Sequence, residues 1–121
     1  MLIRKLAECD EIIAGDGTRL RELLHPERGY PFGGRYSLAH AIVPVGGKSV
    51  PHRLATDEVY YILQGQGTMH IDDEPANVTS GDGIDIPPGS VQWIENTGSD
   101  DLIFLCMVDP AWRVEDEEIL G

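Results

Sequence analysis

The sequence predicts an all-β fold, and three observations carry that prediction. Fourteen glycines and eight prolines are spread along 121 residues, punctuating many short segments rather than a few long helices. Apolar runs of four to eight residues recur between turn signals, at Tyr36 to Val43, Val59 to Leu63, Thr68 to Ile71, Gly83 to Ile86, Val91 to Ile94 and Leu102 to Val108. Within them the side chains follow a two-residue period: Glu58, Tyr60 and Ile62 share one face of a strand, while Val59, Tyr61 and Leu63 share the other. Such even spacing points to a sandwich or a closed barrel.

The elements follow in order. Residues 12–14, the Gly15-Asp16-Gly17 turn and the Thr18-Arg19-Leu20 segment read as a hairpin, with a helical turn through Leu20, Leu23 and Leu24 as the competing assignment. Two prolines and three glycines make residues 25–34 a loop that can pack over the barrel. Gly65 with Gly67 reads as a hairpin turn, and Gly81 to Gly89 tightly bounds the strand Ile84 to Ile86. Gln92 opens the next strand and shares a face with Ile94, opposite Trp93. One domain spans 1–121, with N-terminal strands and loop at 1–35, the barrel at 36–110, and an acidic tail at 111–121 read as a solvated end. Both faces of the strands around Tyr60 and Cys106 are largely apolar, so the outer face is expected to be covered, and a homodimer is expected.

Twenty-one acidic against nine basic side chains give a net charge of -12. That field repels phosphate backbones and anionic lipid, so neither a nucleic acid nor a membrane partner is expected. The first residues mix charges with no continuous apolar run, so neither a signal peptide nor a membrane span is expected. Cys9 and Cys106 are far apart and read as free thiols in a reducing, cytoplasmic setting.

Two stretches between Gly46 and Asn96 carry a recognisable spacing. Gly46, His52, Glu58 and Gly65 fit the first motif of the cupin superfamily, with Leu54 where its second His belongs. Gly81, Pro87, Gly89 and Asn96 fit the second motif, with Gln92 where its His belongs. The chain therefore resembles a small cupin. The resemblance implies a double-stranded β-helix, or jelly-roll barrel, whose facing hairpins hold a divalent metal through inward side chains. Carried over by position, His52, Glu58 and Gln92 would be the ligands, with His52 and Glu58 also catalytic. Leu54 and Tyr60, together with Phe104 and Cys106 on the last strand, would line the pocket.

This ligand set is reduced to one imidazole, one carboxylate and one amide, and it discriminates poorly among zinc, iron, manganese and nickel. The two-histidine, one-carboxylate triad of oxygen-activating iron enzymes is not met unless His25 or His40 completes the site, which disfavours a dioxygenase. His25 in the Pro/Gly loop is read by default as a surface residue, and His40 and His70 as satisfied or solvent-facing strand residues. Cys106 on an apolar strand has a raised pKa and no neighbouring base, which makes it a poor nucleophile. The expectation is a metal-binding cupin acting on a small oxygen-rich metabolite by Lewis-acid and proton-transfer chemistry, of isomerase or lyase type. The alternative is a non-catalytic sugar or metabolite binder.

Overall fold

The computed structural model describes residues 1–121. Eleven strands, all paired antiparallel, form two sheets. The strands are β1 (Glu11–Ile13), β2 (Arg19–Leu24), β3 (Ser37–Val43), β4 (His52–Leu54), β5 (Asp57–Gln64), β6 (Gln66–Ile71), β7 (Glu74–Thr79), β8 (Gly83–Ile86), β9 (Gln92–Asn96), β10 (Leu102–Asp109) and β11 (Glu117–Ile119). One sheet runs β1-β2-β3-β10-β5-β8 and the other β11-β4-β9-β6-β7. The only helical pieces are single 3-10 turns at Leu6–Glu8 and Val114–Asp116, so no helix is long and apolar enough to cross a membrane.

The expected hairpin at the N-terminus forms as β1 and β2, with Ile12 opposite Leu20, so the helical alternative falls. Extended backbone wins there because β2 finds a partner in β3. The turn at Gly65 is corrected: β5 and β6 do not pair, and Gly65 carries the chain from one sheet into the other. Its φ is +94°, and a Cβ there would meet the carbonyl oxygen of Asp101 at 2.8 Å, so only glycine fits this corner. The acidic tail is corrected too. Glu117–Ile119 pairs with β4 as an edge strand, Glu117 opposite Leu54 and Ile119 opposite His52, and leaves only part of the segment to solvent.

The inward positions alternate as the sequence implies. Along β5 they are Glu58, Tyr60 and Ile62; along β10 they are Leu102, Phe104, Cys106 and Val108. At one end of the barrel Val43, Ile62, Met69, Ile94 and Leu102 pack into a hydrophobic core. Full burial of each such side chain is worth roughly 1.5–3 kcal/mol against an exposed reference. Moving along β5 towards its start, and along β10 towards its end, the inward residues turn polar or small, and the packing gives way to a cavity.

Candidate functional site

The cavity occupies about 620 Å³. β4 supplies His52 and Leu54 to its wall, β5 supplies Glu58 and Tyr60, and β10 supplies Phe104, Cys106 and Val108. Each faces inward because it falls on the buried phase of its strand's two-residue alternation. The N-terminal hairpin adds Asp16, Thr18 and Leu20, and the C-terminal segment adds Trp112 and Glu117.

Glu58 is 6 % exposed. Burial is the main reason its pKa is pushed up to about 8; the charges of Asp16 and Glu117 push the same way, and a hydrogen bond from Gln92 opposes them. At neutral pH the side chain is therefore chiefly a carboxylic acid. One oxygen, Oε1, accepts from Gln92 Nε2 at 2.7 Å. Tyr60, in contact with Phe104 at 4.5 Å between ring centroids, donates its hydroxyl to Gln92 Oε1 at 3.0 Å. Burial and then the Glu58 charge push the Tyr60 pKa well above its usual value, so it stays a phenol. The Cys106 thiol is pushed well up for the same two reasons and stays protonated, as its apolar strand implies.

His52 is 2 % exposed, and its Nδ1 lies 2.8 Å from the carbonyl oxygen of Val50. A carbonyl can only accept, so Nδ1 carries a proton, and Nε2 is the ring atom through which His52 can take or give one. The nearest charged atom to Nε2 is Asp16 Oδ2 at 3.7 Å, beyond hydrogen-bond reach. A buried carboxylic acid and the Nε2 of a buried imidazole thus face one cavity.

Cupins commonly hold a divalent metal, but His52, Glu58 and Gln92 do not form a ligand set in this chain. Gln92 is fully buried and is not part of the cavity wall. Its carbonyl is occupied by Tyr60, and its amide nitrogen, which cannot ligate, points at Glu58. No three His, Cys, Asp or Glu side chains converge elsewhere. The motif position of Gln92 is better described as a hydrogen-bonded bridge between the sheets.

The other histidines do not complete the site. His25 is corrected from a surface residue to a buried one: Nε2 meets the Trp112 carbonyl oxygen at 2.8 Å and Nδ1 accepts from the Glu27 backbone N–H at 3.1 Å, which ties the loop to the C-terminal segment. His40 belongs to the opposite phase of β3 from the inward Ala39 and Ala41, on the outer face, where burial and then Arg21 lower its pKa. His70 stacks on Trp93, in register with it, at 3.6 Å between centroids.

Asp16 and Glu117 escaped the sequence reading. Asp16 looked like a turn residue and Glu117 part of an acidic end; a lone carboxylate in either place carries no local signal of burial.

Two antiparallel sheets folded into a barrel with a cavity at one end are the architecture of the jelly-roll class. The chain belongs to the cupin superfamily: the cupin domain profile matches residues 39–108. An uncharacterized protein of Methanocaldococcus jannaschii is 48% identical over 117 residues, 93% of this chain and 92% of that one. Among solved structures, a predicted oxalate decarboxylase of Thermotoga maritima is 26% identical with a TM-score of 0.77, covering 91% of this chain and 99% of that one. The polyketide cyclase RemF of Streptomyces resistomycificus superposes with a TM-score of 0.81 over 100% of this chain and 86% of its own, at 20% identity, a likeness of fold.

Proposed function

We propose that the chain is a small-molecule enzyme of lyase or isomerase type in which Glu58 gives a proton and His52 takes one. The observation that supports this most directly is the buried Glu58 carboxyl, held protonated to about pH 8, on the same cavity as the free Nε2 of His52. In a lyase step on a β-hydroxy carbonyl compound, Nε2 removes the proton from the carbon beside the carbonyl, the carbon–oxygen bond breaks, and Glu58 protonates the departing hydroxyl as water. The imidazolium and the carboxylate then exchange a proton through solvent. In an isomerase step the same pair removes a proton at one carbon and returns it at the next. No donor set in the cavity calls for a metal in either step.

Action on oxalate, named for the Thermotoga maritima structure, would set a small dianion against Asp16 and Glu117; the carboxylates of the wall favour the proton-transfer reading. A metabolite-binding role without turnover is the second reading, supported by the two motif positions that hold Leu54 and Gln92. The free thiols Cys9 and Cys106 suit a cytoplasmic setting, and the apolar outer face of the larger sheet suits a homodimer.

Incubation with a panel of hydroxy-carbonyl metabolites in deuterium oxide, followed by proton NMR, tests the reading. Turnover or exchange of the proton beside the carbonyl is expected, with Glu58→Gln and His52→Ala each lowering kcat roughly 10²–10⁴-fold. The rate should fall as pH rises past about 8, where Glu58 loses its proton. Turnover unchanged in Glu58→Gln would overturn the proposal, and ligand-induced shifts without exchange would favour the binding role.

A further inference from the structure

The charge of the cavity comes largely from outside the segment that matches the family. Asp16 sits in the turn between β1 and β2, and Glu117 opens β11, whereas the family match runs from 39 to 108. Asp16 is 8 % exposed, and its Oδ1 is occupied by the backbone N–H and hydroxyl of Thr18 at 3.1 and 2.8 Å. Its Oδ2 has no hydrogen-bond partner, His52 Nε2 being 3.7 Å away. Glu117 accepts from the indole N–H of Trp112 through Oε2 at 3.4 Å, which leaves Oε1 free for a guest. That Oε1 lies 2.8 Å from where a Cβ at residue 15 would stand, so the missing side chain of Gly15 lets the Glu117 carboxylate close over the Asp16 turn.

Acids outnumber bases on the wall, Glu8, Asp10 and Glu22 joining Asp16 and Glu117 against Arg4 and Arg28, and neither arginine pairs with Asp16 or Glu117. Arg28 is held by both oxygens of Glu22, at 2.7 and 3.2 Å. Arg4 donates to the Leu23 carbonyl oxygen at 3.3 Å and lies 4.2 Å over the ring of Tyr30. Arg28 is thereby paired, whereas Arg4 rests against the Tyr30 ring and keeps its charge. Deeper in, Phe104 and Leu54 give an apolar wall for the body of a guest.

We propose that this cavity selects an ammonium-bearing small molecule, held through Asp16 Oδ2 and Glu117 Oε1, and rejects carboxylates. The inference names the substrate class of the proton-transfer reading and rests on it only for the location of the substrate. A cation gains two acceptors that otherwise lack hydrogen-bond partners, and an anion meets an excess of like charge. Asp16 and Glu117 are then the specificity residues of the site, supplied by the two ends of the chain rather than by the shared barrel.

Benzylamine, benzyl alcohol, benzoate and oxalate are suitable probes, titrated at neutral pH and millimolar concentration into 15N-labelled protein, with the Trp112 indole resonance as reporter. Benzylamine, protonated at that pH, should bind roughly tenfold tighter than benzyl alcohol, with benzoate and oxalate weaker than either. In the Asp16→Asn/Glu117→Gln double variant, which keeps the Thr18 and Trp112 hydrogen bonds, amine and alcohol should bind alike. Glu117→Gln alone, on an edge strand, should lose part of the preference if the double variant does not fold. Glu58→Gln should retain the amine preference whether or not turnover is lost, so a failure of the catalytic reading is distinguishable from a failure of this one. Binding of benzoate or oxalate as tight as the amine, an amine preference unchanged in both carboxylate variants, or no response of Trp112 to the amine would overturn the inference.

Discussion

Gln92 Nε2 donates to Glu58 Oε1 across 2.7 Å, linking β9 of one sheet to β5 of the other through two buried side chains. The bond satisfies an amide that has no access to water, and it gives Glu58 one acceptor role without supplying a charge. Burial of the carboxyl therefore remains largely uncompensated, and the proton stays on.

Stability should consequently fall with pH in a window set by Glu58. Its ordinary pKa is 4.5, and in the folded chain it is about 8. Between those values the unfolded chain has released the proton and the folded chain still binds it, so a rise in pH favours unfolding. The contribution is fully present below about pH 4.5 and is lost as pH climbs through about 8. Glu58→Gln keeps an acceptor for Gln92 and cannot ionise. Denaturant melts at a series of pH values should show the variant gaining on the wild type from pH 4.5 upward and levelling off above about pH 8. A difference independent of pH would contradict the assignment.

Restoring imidazoles at the two altered motif positions should create a metal site. Leu54 shares the inward face of β4 with His52, and Gln92 pairs in register with His52. Leu54→His with Gln92→His removes the amide bridge and sets two more nitrogen donors around Glu58. Zinc or nickel affinity, read by competition with a chromogenic chelator, should rise by roughly tenfold or more. An unchanged affinity would mean that the four positions do not converge.

The outer face of the larger sheet should be a contact between two copies of the chain. Tyr61 is 46 % and Met107 39 % exposed, Leu105 lies in register with Tyr61, and Met107 with Val59. Light scattering on the eluted protein should give twice the chain mass, and Tyr61→Glu with Met107→Glu should give a monomer that retains its far-ultraviolet circular dichroism. A monomeric wild type, or a dimer untouched by both charges, would place the interface elsewhere.

The period of two was legible wherever a strand was long enough to show it. Along β5 it grouped Glu58 with Tyr60 and along β10 Phe104 with Cys106, the cupin resemblance implied that these faces line the pocket, and the structure brings all four to the cavity with His52 and Leu54. The motif glycines Gly46, Gly65, Gly81 and Gly89 all take positive φ, although Gly65 turns a corner between the sheets rather than the hairpin its sequence suggested. Short or polar strands were not legible. β4 and β11 have three residues each, and the exposed, proline-bearing β7 offers no apolar phase to read.

By itself, then, the amino-acid order determined the all-β class and which residues share a strand face, because alternation and turn chemistry act between residues near one another in the chain; the candidate site came from the resemblance of the two motifs to those of cupins. Only the tertiary structure decided the state of that site. Whether Glu58 keeps its proton depends on burial and on Gln92, Asp16 and Glu117, which reach it from strands and turns distant in sequence. Whether Gln92 can ligate depends on Tyr60 and Glu58, which occupy both ends of its amide. Desolvation and Coulomb interactions act through space, so the residues that set the chemistry of His52 and Glu58 could be identified only once the sheets and the two chain ends had closed around them.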